Sequence, residues 1–151
     1  MYKYTLVKNR NFPGGDRNQR YVVSLDNHVD MVEAIMAFCK KMEIKAGHIS
    51  GLGATNLATF RYLDPSTMQY VDKTFGEQME ITNITGNISR KDGEPYLHIH
   101  LTCSRSDYSC VGGHLLSARI SGACELLIDV FRNTTVGREK DPETGLNMYK
   151  F

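Results

Sequence analysis

The sequence predicts an α+β fold, in which a mixed, largely antiparallel β-sheet packs with helices in a single domain spanning residues 1–151. Segments rich in β-branched and aromatic residues recur along the chain, separated by glycine, proline and aspartate turn signals. One segment instead repeats its apolar residues at helical spacing. The length of 151 residues, with 41% hydrophobic and 23% charged residues, suits one globular domain with its own core.

The N-terminal part predicts two strands and a helix. Residues 1–7 and 20–25 have strand character, and residues 10–20 form a polar loop around Pro13, Gly14 and Gly15. A helix is predicted over residues 30–43, because Asp30 can accept hydrogen bonds from the first helical turn with Glu33 as its capping partner. Gly47 is its expected stop. The predicted apolar stripe of this helix consists of Val32, Ile35, Met36, Cys39 and Met42.

The rest of the chain is predicted to be almost entirely β. Residues 50–54 are expected to form a tight turn, because the G-x-G of Gly51 and Gly53 lacks the third glycine of a dinucleotide loop and fits a turn or close strand packing. Turns are expected at residues 64–65, 91–93 and 142–145. The predicted strands are residues 57–63, 68–74, 79–89, 95–103 and 120–131.

Two histidines on one predicted strand point to a metal site. Alternate side chains of a strand face the same way, so Tyr96, His98, His100 and Thr102 share one face, and the uniformly apolar residues between them belong to the core. The two imidazoles are then roughly 6–7 Å apart along the strand, and both can bind one ion at about 2.0–2.1 Å. A third ligand must come from elsewhere.

His114 is the candidate third ligand. It follows Gly112 and Gly113, which permit a close approach of its segment to the histidine strand. Three neutral imidazoles with an open fourth position form the ligand set of a hydrolytic or lyase-type zinc centre, and they also suit nickel, iron or copper. The alternative is that His98 and His100 are solvated surface residues and that His114 caps a helix or lines an interface.

Four motifs are spread over nearly the whole chain. They are Ser50-Gly51-Leu52-Gly53-Ala54, Ile84-Thr85-Gly86-Asn87-Ile88-Ser89, Asp92-Gly93-Glu94-Pro95-Tyr96-Leu97-His98-Ile99-His100 and Val111-Gly112-Gly113-His114-Leu115. In order and spacing they resemble those of the PPC domain (plants and prokaryotes conserved) family, and the chain resembles a stand-alone prokaryotic-type member. The resemblance implies an α+β fold, a homotrimer and, as in some members, a metal on His98, His100 and His114.

DNA binding is the alternative function that the resemblance raises. Plant members carry an AT-hook and bind the minor groove of A/T-rich DNA, and prokaryotic members are often labelled DNA-binding by kinship. This chain has no Arg-Gly-Arg-Pro core, its longest basic cluster is Lys40-Lys41, and 18 basic against 17 acidic residues give a formal charge of +1. Neither charge nor motif supports a DNA partner, although a trimer could combine basic loops.

Several other residues are candidates for lesser roles. Glu94 is the candidate catalytic acid or base beside the metal, with a plain hairpin role as its alternative, and Glu125 is a second candidate or a surface residue. His48 is either a fourth or supporting group of the site or, as the safer interpretation, a partly buried structural histidine. His28 is expected to be exposed. Cys103 is expected in the core and Cys110 in a loop.

Three functions follow as hypotheses. The first is a homotrimeric metal-binding protein, with a small-molecule ligand at the metal and, if it is an enzyme, lyase or hydrolase chemistry. The second is a DNA-binding or regulatory module, and the third is a purely structural oligomerisation domain. The N-terminus has no apolar signal core and no segment is long enough to span a membrane, so a cytoplasmic location with reduced thiols is expected.

Overall fold

The structure is a computed structural model that describes residues 1–7 and 18–151. The predicted loop at residues 10–20 therefore lies mostly outside the described residues. The elements in chain order are β1 (Tyr2–Val7), β2 (Gln19–Leu25), α1 (Met31–Lys41), β3 (Gly47–Asp64), β4 (Gln69–Phe75), β5 (Met79–Lys91), β6 (Glu94–Ser104), β7 (Cys110–Val130), β8 (Gly137–Lys140) and β9 (Asn147–Lys150).

The fold is mainly β, and the predicted α+β class with several packed helices is wrong. Over the described residues, α1 is the one helix and all nine strands belong to one sheet. The sheet does not need helices on both faces, because four of its strands close on themselves: β3 pairs with β5 and β7, β5 pairs with β6, and β6 pairs with β7. The apolar faces of these strands and of α1 meet in one core.

The helix begins as predicted and ends earlier. Asp30 is its N-cap, and the Asp30 side chain accepts a hydrogen bond from the Glu33 amide at 3.0 Å. The helix ends at Lys41 because Glu43 takes a left-handed φ of 52°, so Gly47 is not the stop and instead opens β3. Among the described residues, no helix is long and apolar enough to cross a membrane. The buried helix positions are Met31, Ala34, Ile35, Phe38 and Cys39, a stripe rotated from the predicted one.

The glycines predicted to form a tight turn lie inside the long strand β3. A β-bulge interrupts the pairing of β3 with β5 between Gly51 and Gly53, but the strand continues through it. A Cβ atom added to Gly51 would lie 2.4 Å from the Glu125 carbonyl oxygen, and one at Gly53 would lie 2.5 Å from that of Ala123. Close packing of β3 against β7, the alternative interpretation, is therefore the use of these glycines.

Strand β7 is longer than the predicted strand over residues 120–131. It starts at Cys110, so the segment that carries His114 is a strand and Cys110 is its first residue rather than part of a loop. Residues 110–114 of β7 pair with β6, and residues 125–130 lie between β2 and β3. One strand thus connects the candidate site to the centre of the sheet.

Candidate metal centre

Three histidine side chains converge on the outer face of the strand ring. The ring nitrogens of His98, His100 and His114 that could bind an ion all lie within 4.8 Å of one another, and the Nε2 atoms of His98 and His100 are 3.2 Å apart. Ligand nitrogens on a tetrahedral ion with bonds of 2.0–2.1 Å are about 3.3 Å apart. The spacing of His98 and His100 therefore matches that of two ligands on one small divalent cation, and the nitrogen of His114 lies close to both.

Strand geometry explains how the three histidines meet. His98 and His100 alternate with Ile99 and Leu101 on β6, and both of these apolar side chains are buried, as the sequence pattern predicted. His114 on β7 lies directly opposite His100 in the antiparallel register. Side chains of directly opposite residues approach within about 4.5–5.5 Å, so the register alone brings the third imidazole to the first two.

A glycine permits the close approach of β6 and β7 at the site. A Cβ atom at Gly112 would lie 2.4 Å from the Leu101 carbonyl oxygen, a distance that no side chain tolerates. Gly113, with φ of +150°, has open space around it and contributes conformational freedom instead. The predicted role of the two glycines before His114 is thus confirmed, with the close approach belonging to Gly112.

The surroundings of His98 and His114 favour the neutral, ligand form of these two side chains. Burial, then the neighbouring His114 and His100 rings and Arg138, lowers the pKa of His98 to about 4. Burial, followed by His100 and Arg61, also lowers the pKa of His114. Metal ions bind neutral imidazole, so at neutral pH these two ligands do not need to lose a proton.

Glu94, the candidate acid or base, lies away from the three histidines. It is four residues before His98 on β6, roughly 13 Å along the strand. Its carboxylate forms an ion pair with Lys40 of α1, Nζ to Oε2 2.9 Å, and this contact holds the pKa of Glu94 below its usual value. A catalytic role for Glu94 stays a prediction. Glu125, the second candidate, is exposed on β7.

His48 is exposed on β3, so its interpretation as a partly buried structural residue is wrong. In the register it lies between Asn87 of β5 and Asp129 of β7. It lines a small cavity of about 220 Å³ together with His98 and His100, but it is outside the converging group of three. His28 is exposed and Cys103 is buried, as predicted.

A large cavity of about 1280 Å³ opens beside the three histidines. One wall comes from the β3–β4 hairpin, including Phe60, Tyr62 and Tyr70, and the opposite wall comes from the β8–β9 hairpin. Ligand sites are typically concave and largely apolar, with a few polar groups that fix orientation. A molecule in this cavity can therefore reach the histidines.

Arg138 is the cavity residue that sequence reasoning missed. Its Cζ atom lies over the rings of Tyr96 and Tyr149, 4.7 and 4.4 Å from their centroids. Its guanidinium donates hydrogen bonds to the Ser89 hydroxyl and the Asn87 side-chain oxygen, each at 2.7 Å. Nothing in the local sequence marks this residue, because the tail that carries it reaches the site only through the β8–β9 hairpin.

Comparison with known proteins places the chain in a family. The model of the Plants and Prokaryotes Conserved (PCC, also PPC) domain matches residues 13–132. A search of curated proteins yields no match.

Three solved structures extend the likeness over the whole chain. A candidate DNA-binding protein from Bacteroides thetaiotaomicron is 44% identical with a TM-score of 0.86, covering 98% of this chain and 97% of its own. The metal-containing protein from Archaeoglobus fulgidus is 30% identical with a TM-score of 0.82, covering 100% and 99%. A PPC protein from Pyrococcus horikoshii is 22% identical with a TM-score of 0.81, covering 99% and 95%. Since the family model matches most of the chain and the solved structures share its fold, the chain belongs to the Plants and Prokaryotes Conserved domain family.

Proposed function

We propose that this protein binds one divalent metal ion through His98, His100 and His114. The observation that carries the proposal is the convergence of the three imidazoles, whose ligand atoms lie within 4.8 Å of one another. The metal-containing relative from Archaeoglobus fulgidus, 30% identical over the whole chain, supports it. Zinc is the proposed ion because three neutral imidazoles and an open position form a typical zinc ligand set, which nickel and iron also accept.

All three histidines line the large cavity, so a small molecule in this cavity is the proposed second ligand of the ion. When bound, zinc supplies Lewis acidity for a carbonyl or carboxylate group, or lowers the pKa of a bound water. Both fit lyase or hydrolase chemistry, and no specific reaction is assigned. Glu94 would have to leave Lys40 to act as an acid or base, and Glu94→Gln tests that role once a reaction is found.

A homotrimer in the cytoplasm is the proposed setting of the site. The trimer rests on the family resemblance, and it is supported by apolar side chains left exposed on neighbouring strands: Val22 at 41%, Leu127 at 41% and Leu52 at 54%. All four cysteines are free thiols, as is usual in a reducing compartment. Light scattering before and after chelation separates a metal-binding trimer from a purely structural one, whose mass and stability would not respond to chelator.

Elemental analysis of protein purified without a histidine tag tests the metal site. We expect about one metal per chain in the wild type, and its loss in His98→Ala and His114→Ala. His28→Ala is the matched control, because it removes an exposed histidine outside the group and should keep the metal. A wild type that remains metal-free after dialysis against zinc would disprove the proposal.

DNA binding is the second candidate function, favoured by the description of the 44% identical relative from Bacteroides thetaiotaomicron. Phosphate contacts would make duplex affinity fall by roughly 0.9 log unit per log unit of salt for each contact. Duplex binding measured between 50 and 200 mM salt therefore decides the matter. A flat or absent response removes this candidate.

A further inference from the structure

The large cavity beside the histidines carries a one-sided charge distribution. Among the described residues, its lining includes the five basic residues Arg61, Lys73, Lys91, Arg138 and Lys140 and no aspartate or glutamate. The whole chain, by contrast, has 18 basic and 17 acidic residues. A cleft lined by charges of one sign focuses the electrostatic field and concentrates ligands of the opposite sign.

Three of these charges have no acidic partner among the described residues. Arg61 is paired with Asp72 and Lys91 with Asp92, at 2.8 and 2.7 Å. Within residues 1–7 and 18–151, no carboxylate lies within ion-pair distance of Lys73, Arg138 or Lys140. Their positive charge is therefore available to a ligand.

In the part of the chain that the structure describes, the side chain of Arg138 is held by neutral groups. It donates to the Ser89 hydroxyl, the Asn87 side-chain oxygen and the Asn147 carbonyl oxygen, all at 2.7 Å, and its Cζ atom lies over the rings of Tyr96 and Tyr149. A guanidinium has five N–H donors, so these three bonds leave two. A positioned arginine without a carboxylate partner is suited to bind a carboxylate or phosphate group.

We infer that this cavity binds a small organic anion, whose carboxylate or phosphate group is held by Arg138 and Lys140. The aromatic walls at Tyr62, Tyr70 and Phe60 suit the ligand's carbon skeleton. The inference names the class of ligand that the proposed metal site would bind. It depends on the metal proposal only for the end of the ligand that reaches the histidines. The basic cavity wall acts whether or not an ion is bound.

Titration calorimetry with inorganic phosphate and with succinate tests the inference, first on chelator-treated protein and then on the zinc-loaded protein. The chelator-treated protein removes metal coordination as a source of binding, so a failure of the metal proposal leaves this measurement interpretable. Comparison of the two probes distinguishes a phosphate from a carboxylate ligand. We expect millimolar or tighter dissociation constants for at least one probe.

Three substitutions locate the binding. Arg138→Gln and Lys140→Gln should each weaken the preferred probe by about tenfold or more, the usual effect of losing one charge-assisted hydrogen bond. Lys45→Gln is the matched control, since it removes one exposed positive charge outside the cavity lining and should change affinity less than twofold. Lys140 is exposed, so Lys140→Gln keeps the test valid if Arg138→Gln fails to fold.

Three results would overturn the inference. The first is that neither probe binds the wild type at about 10 mM. The second is that Lys140→Gln binds the probe as tightly as Lys45→Gln. The third is that a DNA duplex displaces the probe and binds with a steep salt dependence that Arg138→Gln and Lys140→Gln reduce. The basic wall would then be a nucleic-acid surface.

Discussion

Replacing Gly112 with alanine tests how closely the metal site depends on strand spacing. The added Cβ would lie 2.4 Å from the Leu101 carbonyl oxygen and 3.1 Å from the Thr102 Cα atom. Carbon and carbonyl oxygen come to rest about 3.3 Å apart, so β6 and β7 must separate by about 0.9 Å. The separation falls next to the pairing of His100 with His114.

A displacement of this size exceeds the tolerance of metal–ligand distances, whereas a hydrophobic core accommodates it at a moderate cost in stability. Metal–ligand distances vary by only about 0.2 Å, so we expect Gly112→Ala to weaken zinc binding by about 10- to 100-fold. The same overpacking should lower the free energy of unfolding by about 1–3 kcal/mol. Competition with a chromophoric chelator measures the first quantity, and urea unfolding of the metal-free protein measures the second.

Gly53→Ala is the matched control for this substitution. Its Cβ would lie 2.5 Å from the Ala123 carbonyl oxygen, a clash as severe as the one at Gly112. Ala123 is nine residues along β7 from His114, roughly 30 Å in an extended strand. We therefore expect a similar loss of stability with zinc affinity unchanged. If both variants bind zinc within twofold of the wild type, the link between Gly112 and the ligand geometry is refuted.

Three further perturbations probe the scaffold by urea unfolding. Phe38→Ala removes a fully buried ring and should cost about 3–5 kcal/mol, and a loss below 1 kcal/mol would contradict its place in the core. Asp30→Ala removes the side-chain oxygens that accept hydrogen bonds from the first helical turn and from the Ala118 amide of β7, and it should lower the free energy of unfolding by about 1–2 kcal/mol. Asp30→Asn keeps one acceptor oxygen and should lie closer to the wild type. Equal losses of stability in the two variants would refute the capping role. The Arg20 guanidinium lowers the pKa of Asp129, so their pair stabilises the fold above about pH 4, the pKa of the unfolded chain. This stability is lost as the pH falls through the lower pKa of the folded state. Asp129→Asn should therefore cost about 0.2–1 kcal/mol at pH 6 and progressively less as the pH falls below 4, and a cost independent of pH would argue against the pair.

The convergence of the histidines is a feature that local rules could anticipate. Alternation along a strand places His98 and His100 on one face, and the glycines before His114 indicate a close approach. Both depend on interactions within one hairpin. The start of α1 at Asp30 was likewise predictable, because an N-cap bonds to residues only three positions away.

Features that depend on pairing between strands far apart in the sequence could not be predicted from local sequence patterns. Gly51 and Gly53 look like turn residues until their contact with the C-terminal half of β7 is known. The fold class was wrong for the same reason, since closure of the ring through the β3–β7 pairing replaces the second helical layer that an open sheet would need. Arg138 reaches the site on a hairpin that joins β5 at Arg90 through a single bridge, for which no local pattern exists.

The ring of strands also has a consequence for folding kinetics. Its β6–β7 seam joins residues as near in the chain as His100 and His114, whereas its β3–β7 seam joins Gly47 to Val130. Local hairpins form in microseconds, but distant pairings must first overcome the entropy of closing a long loop. The three histidines thus belong to a seam that can form before the ring closes. A metal ion present during refolding would then tie this hairpin together early, and the closing of β3 onto β7 would remain the slow step.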